Sequence, residues 1–159
     1  MRTAAVWGRS IGKNKNRHWN KRTPGTGSAG KEIVIGAVSR KGNVVARVIA
    51  NTDTETLDSF VRQAVSEKVS LIATDEHSGY RKLKDTFDHR FVRHSSGRYV
   101  DGVVHTGTID GFWSLLKRGI MGSFHKVSRK YLPLYVAEFS FRYNNRNNPD
   151  IFGEAIAGC

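Results

Sequence analysis

Two short β-branched runs with a turn between them constrain this chain most. EIVIGAV (32–38) is followed by SRKGN (39–43), with Gly42 at its centre, and then by VVARVIA (44–50). Apolar runs of this length on either side of a Gly-containing polar turn predict an antiparallel hairpin. VSLIAT (69–74) reads as a third strand, and its near-continuous apolar character suits a central position buried on both faces. Between them Thr54 is placed to cap a helix over 55–67, whose apolar face is Leu57, Phe60, Val61, Ala64 and Val65.

Beyond the third strand the pattern predicts a short helix near 78–83, a strand near 90–94 and a Gly-containing loop. A helix follows over about 108–117, with Ile109, Phe112, Leu116 and Ile120 at core spacing. The last helix, over about 129–144, presents Leu132, Tyr135, Val136 and Phe139. Pro133 is tolerated there in the first turn, where its missing N–H costs little. Hairpin, helix, strand, small helix, strand and helices in that order predict an α/β fold. The expected sheet is mixed and flanked by helices, not doubly wound and parallel.

A chain of 159 residues can bury the core of one domain, and its hydrophobic share of 38% argues against general disorder. Twenty-six Lys and Arg against fourteen Asp and Glu leave a formal charge of +12, which favours polyanionic partners. The basic surplus begins at once, since residues 1–31 hold no Asp or Glu. With the loop-forming TPGTGSAG (23–30), they read as a flexible basic arm ahead of a domain over 32–146 and a tail over 147–159. A single cysteine, Cys159, excludes an intramolecular disulfide and a Cys-based zinc site. No stretch approaches the roughly 18 apolar residues of a membrane span, and no signal peptide is recognisable. The expectation is a cytoplasmic protein with no membrane partner.

Two carboxylates stand apart from the others. Asp75 directly follows the apolar strand, at the carboxyl end where α/β proteins place ligand sites. Asp110 opens the helix of HTGTIDGFWSLLKRG (105–119), and helical spacing puts Trp113, Ser114 and Lys117 on its side. Carboxylates converging from a strand end and a helix can hold a pair of divalent ions about 3.5–4 Å apart for phosphodiester chemistry. The plainer reading is that Asp110 complements its helix dipole and Asp75 ends a strand. Trp113 has the same two faces, as a core residue or as a platform for an unpaired base. The six histidines show no HxxxH or HxH spacing, and His105, five residues before Asp110, is the best placed of them.

Three segments carry a resemblance: ATDEHSGYRKL (73–83), HSSGRYVDGVVHTGTIDGFWSLLKRGIMGSFHKVS (94–128) and YVAEFSFRYNNR (135–146). They resemble the DDE-type transposases of bacterial insertion sequences, specifically the ISXO-like catalytic domain, over nearly all of residues 33–146. The resemblance implies a ribonuclease-H-like fold. It also implies Mg²⁺- or Mn²⁺-dependent DNA cleavage and strand transfer at an acidic triad, two metal ions when the triad is complete. Asp75 matches the second acid. Asp110 matches the third, where Glu is usual, and Lys117 the basic residue seven positions on. Trp113, Arg118, His105 and Arg142 are the further residues expected to meet DNA, and Arg142-Tyr143-Asn144 matches the terminal signature. Gly107 replaces a common Asn.

The family's first Asp belongs on a strand before the hairpin, and no acid precedes Glu32. KNKNRHWNKR (13–22) still looks like family sequence, whereas MRTAAVWGRS does not. The first strand is therefore expected to be missing or altered, by a displaced start or a frameshift, and the chain to be an inactive copy. The partners implied are DNA, as transposon ends and target, and a homo-oligomer formed on DNA near the nucleoid. The alternative is a non-catalytic DNA-binding remnant that modulates a full-length transposase.

Overall fold

The computed structural model describes residues 3–11, 32–39, 42–66, 68–75, 77–91, 100–101, 104–105, 107–124 and 127–158. Its centre is a five-stranded mixed sheet in the order β3-β2-β1-β4-β5. The strands are β1 (Thr3–Ile11), β2 (Glu32–Ser39), β3 (Val44–Ile49), β4 (Leu71–Thr74) and β5 (His89–Phe91). β1 runs antiparallel to β2 and parallel to β4, and β4 is parallel to β5. The hairpin forms as expected, with Val38 opposite Val44 next to the turn. A separate two-stranded ribbon joins β6 (Val100–Asp101) to β7 (Val104–His105).

Helices cover both faces of the sheet. On one face α1 (Thr54–Ala64) and a 3-10 helix (Ser78–Asp85) pack Leu57, Phe60, Val61, Tyr80 and Leu83 against Ala4, Val6, Ile35, Ala37 and Ile72. On the other, α2 (Gly107–Arg118) and α3 (Leu132–Asn144) pack Ile109, Phe112, Trp113, Leu116, Val136 and Phe139 against Ala5, Val34, Val38 and Val44. The alternation of β2, with Val34 and Val38 facing one layer and Ile35 and Ala37 the other, is the period-two signature of a strand buried on both sides. Each large apolar side chain so buried stabilises the fold by about 1.5–3 kcal/mol relative to exposure.

Four expectations change. Residues 3–11 are not part of an arm: they form the middle strand of the sheet, and residues 12–31 lie outside the described residues. β1 mixes Val6, Trp7 and Ile11 with small and polar residues, and it pairs with β2 over eight positions, so the backbone ladder adds to an uneven local propensity. The cap of α1 is Asp53, whose Oδ1 accepts from the Thr56 N–H at 2.7 Å, and the helix stops at Ala64. The tail holds a seven-residue helix, α4 (Ile151–Ala157), capped by Asp150. β5 starts one residue early, and residues 92–94 of the predicted strand are outside the described residues.

Trp113 needs its own correction. Each helical residue turns about 100°, so Trp113 lies only about 40° from Ile109 and about 60° from Asp110. It falls within the apolar stripe and is 1% exposed, which rules out a base-stacking role in this structure. Gly36 makes the burial possible: a Cβ there would lie 3.0 Å from the indole Cζ2. Past Arg118, α2 widens into a π-turn over Gly119–Ser123, closed by the Phe124 N–H donating to the Gly119 carbonyl. No helix among the described residues is long and apolar enough to cross a membrane.

Candidate active site

The parallel pairing of β1 with β4 fixes the level of the first expected carboxylate. Ala5 lies opposite Ala73, and two more residues along each strand bring position 7 level with Asp75. On its other side Trp7 lies opposite Gly36. Carried on in that register, Gly36, position 7 and Asp75 fall in one row, with Asp75 just past the end of β4. Ile109 and Trp113 rest on Gly36, so the opening turn of α2, with the half-buried Asp110, meets the sheet at that row. The strand that passes through the middle of the row, TAAVWGRSI, has no carboxylate anywhere along it.

Asp75 is half-buried just past the end of β4. Its Oδ1 accepts from the His77 N–H at 3.2 Å, and its carbonyl accepts the Thr74 hydroxyl proton at 2.8 Å. The Thr74 Oγ1 also lies 2.8 Å from His89 Nε2. A hydroxyl has one proton to give, so with that proton on the Asp75 carbonyl the His89 Nε2–H must donate to Thr74. The remaining ring nitrogen, Nδ1, is buried and has no hydrogen-bond partner among the described residues. Burial, and then the nearby Lys84 cation, push the His89 pKa down, while Asp88 opposes them; the neutral imidazole is favoured.

Tyr80 ties the site to β1. Its ring is 3% exposed, and its hydroxyl hydrogen-bonds the Gly8 backbone. Burial first, and the Asp75 charge second, drive the phenol well above its ordinary pKa, so it stays protonated. A cavity of about 180 Å³ opens beside these groups, lined by Asp75, His77, Ser78, Tyr80, Arg81, Lys84, His89 and Phe91.

The remaining expected site residues are dispersed. Lys117 and Arg118 are exposed at the far end of α2 from Asp110. Arg142 is exposed on α3 and bridges Glu138 at 2.7 Å, an i,i+4 pair that leaves its guanidinium at the surface. His105 belongs to β7, and its side chain is outside the described residues. Tyr80, Arg81, Lys84 and His89 were not anticipated. The heptapeptide SGYRKLK (78–84) held the signal, since spacing by three places Ser78, Arg81 and Lys84 on one side of a 3-10 helix.

The divalent ions implied by the resemblance need several converging oxygen donors. Among the described residues no group of three or more His, Cys, Asp or Glu side chains is placed to hold a metal ion. With no acid on β1, the donor set among the described residues does not fit a two-ion centre.

A mixed sheet in this strand order, with helices on both faces, is a ribonuclease-H-like arrangement. Solved structures bear out the fold. The catalytic core domain of BIV integrase superposes with a TM-score of 0.53 at 13% identity, over 89% of this chain and 84% of that one. A chain of the simian T-cell lymphotropic virus intasome in complex with PP2A regulatory subunit B56 gamma gives a TM-score of 0.50 at 13% identity, over 87% of this chain and 47% of that one. The model of the ISXO2-like transposase domain matches residues 6–144, and the chain belongs to that family. No curated protein matches it in sequence.

Proposed function

We propose that this chain is the DNA-handling domain of an insertion-sequence transposase and that it does not itself cut DNA. Family membership supports the substrate class, and the net charge of +12 supports a polyanionic partner. One observation carries the inert character: the row that holds Asp75 crosses a central strand, Thr3–Ile11, without a carboxylate. Asp110 adds a second handicap, because Asp is shorter by one methylene than the usual Glu. Transposon ends and target DNA are the proposed ligands, with Lys117, Arg118 and Arg142 as exposed phosphate contacts and a homo-oligomer as the form on DNA.

The same cations favour a specific role for an uncatalytic chain. It would occupy DNA ends and modulate a full-length transposase. The purified chain is to be incubated with duplexes from the ends of its element across a Mg²⁺ and Mn²⁺ series, beside an Asp75→Asn control. Binding without nicking is expected. Metal-dependent nicking that disappears in the control would overturn the inert reading.

A further inference from the structure

The 3-10 helix after Asp75 has a polar stripe that packing does not explain. A 3-10 helix turns once in three residues, so side chains at i, i+3 and i+6 eclipse one another. In Ser78–Asp85 this aligns Ser78, Arg81 and Lys84 on one edge and turns Tyr80 and Leu83 into the core. All three stripe residues line the cavity beside Asp75. Runs of 3-10 helix beyond three or four residues are uncommon, and this one has eight. An α-helical turn would rotate the three side chains progressively apart.

Arg62, Arg90, Arg129 and Arg142 bridge Asp58, Asp88, Glu32 and Glu138, whereas neither Arg81 nor Lys84 bridges a carboxylate among the described residues. Among the described residues that line the cavity the one acid is Asp75, and its Oδ1 accepts from the His77 backbone. Two basic side chains therefore stand against one carboxylate among the described lining residues. The space of about 180 Å³ equals roughly six waters at about 30 Å³ each, enough for a phosphate group with part of its hydration.

We propose that Ser78, Arg81 and Lys84 form a receptor for one phosphate group of a DNA strand, in the cavity immediately beyond β4. Arg81 presents a planar fork that matches two phosphate oxygens, Lys84 a point charge, and Ser78 a hydroxyl donor. The receptor rests on the DNA reading above and adds to it a second contact surface, separate from Lys117, Arg118 and Arg142.

The test uses the full chain and a fluorescein-labelled DNA duplex, read by anisotropy across a salt series. Arg81→Gln/Lys84→Gln replaces two exposed side chains with polar ones, so the fold is retained. Its affinity is expected to fall roughly tenfold or more, and the slope of log affinity against log salt to drop by about 1, the value for one phosphate contact. Location is read separately in Ser78→Cys, by protection from alkylation on adding DNA or inorganic phosphate, with Cys159 as the internal reference. Protection together with the reduced slope supports the receptor. Wild-type DNA binding with an unchanged double variant overturns the receptor and leaves the DNA reading standing. Protection by inorganic phosphate without any DNA binding keeps an anion site but overturns its assignment to DNA. Absence of all binding overturns both.

Discussion

Asn144 holds Val44 by both atoms of its amide: Oδ1 accepts the Val44 N–H at 2.7 Å, and Nδ2 donates to the Val44 carbonyl at 3.0 Å. The two residues are a hundred positions apart, one at the end of α3 and the other at the start of the edge strand β3. An edge strand presents unpaired backbone groups outward, and this clasp satisfies a donor and an acceptor of that edge at once. Asn144 closes the Arg142-Tyr143-Asn144 signature, so part of that signature has a structural cause.

Removing the clasp strands part-buried backbone groups. Asn144→Ala is expected to cost about 1–3 kcal/mol of stability, and Asn144→Asp, which keeps the acceptor, less. Urea denaturation measures both. An unchanged midpoint for Asn144→Ala would show that water replaces the amide without penalty.

Two glycines on the α2 side of the sheet should respond with opposite signs. Gly36→Ala drives a methyl to 3.0 Å from the buried Trp113 ring and is expected to cost about 1–3 kcal/mol. Gly111 lies within α2 with open space where its Cβ would be, so Gly111→Ala should add roughly 0.5–1 kcal/mol. Thermal melts of the pair decide the matter, and a destabilised Gly111→Ala would contradict the packing of α2.

His89 makes stability sensitive to mild acid. Its folded pKa lies below the ordinary 6.5, so between those two values the unfolded chain binds the proton more readily. The contribution is whole above about pH 6.5 and is lost as the pH falls toward the folded value. His89→Gln keeps a donor for Thr74 and removes the titration. Wild type minus variant, compared by urea midpoints at neutral pH and near pH 5, should therefore narrow as acid is added. A difference that does not change with pH would show that His89 titrates alike in both states.

The register of β1 and β4 also predicts where an added carboxylate would strengthen metal binding. Trp7→Asp places a carboxylate level with Asp75, whereas Gly8→Asp faces the Tyr80 side, as strand alternation requires. Mn²⁺ titration followed by electron paramagnetic resonance should show binding tightened at least about tenfold by Trp7→Asp and little changed by Gly8→Asp. Equal gains would mean that the register continues differently past Ala5.

How far the sequence led is clearest at particular places. The hairpin, β4 and α1 were legible because their apolar periods are undisturbed. β1 was not, since Thr3, Arg9 and Ser10 look like the start of a basic tail and the strand is held by partners distant in sequence. Helical geometry sets Trp113 near Asp110, but the sequence leaves its burial open, because Gly36, the residue that receives it, is 77 positions away. At the candidate site the place of Asp75 after a strand and the lack of an acid before Glu32 could be read locally. The links from Tyr80 to Gly8 and from His89 through Thr74 to Asp75 could not, as they arise only when β1, β4 and β5 lie side by side.

β1 keeps its place through hydrogen bonds to neighbours on either side, and that has an evolutionary consequence. Backbone ladders are blind to side-chain charge, so the gene can drift at the level of Asp75 while its product still escapes proteolysis. Selection for a well-folded polypeptide would not resist such erosion. Only a demand on the side chains themselves, such as the binding of a ligand, would restrain change there.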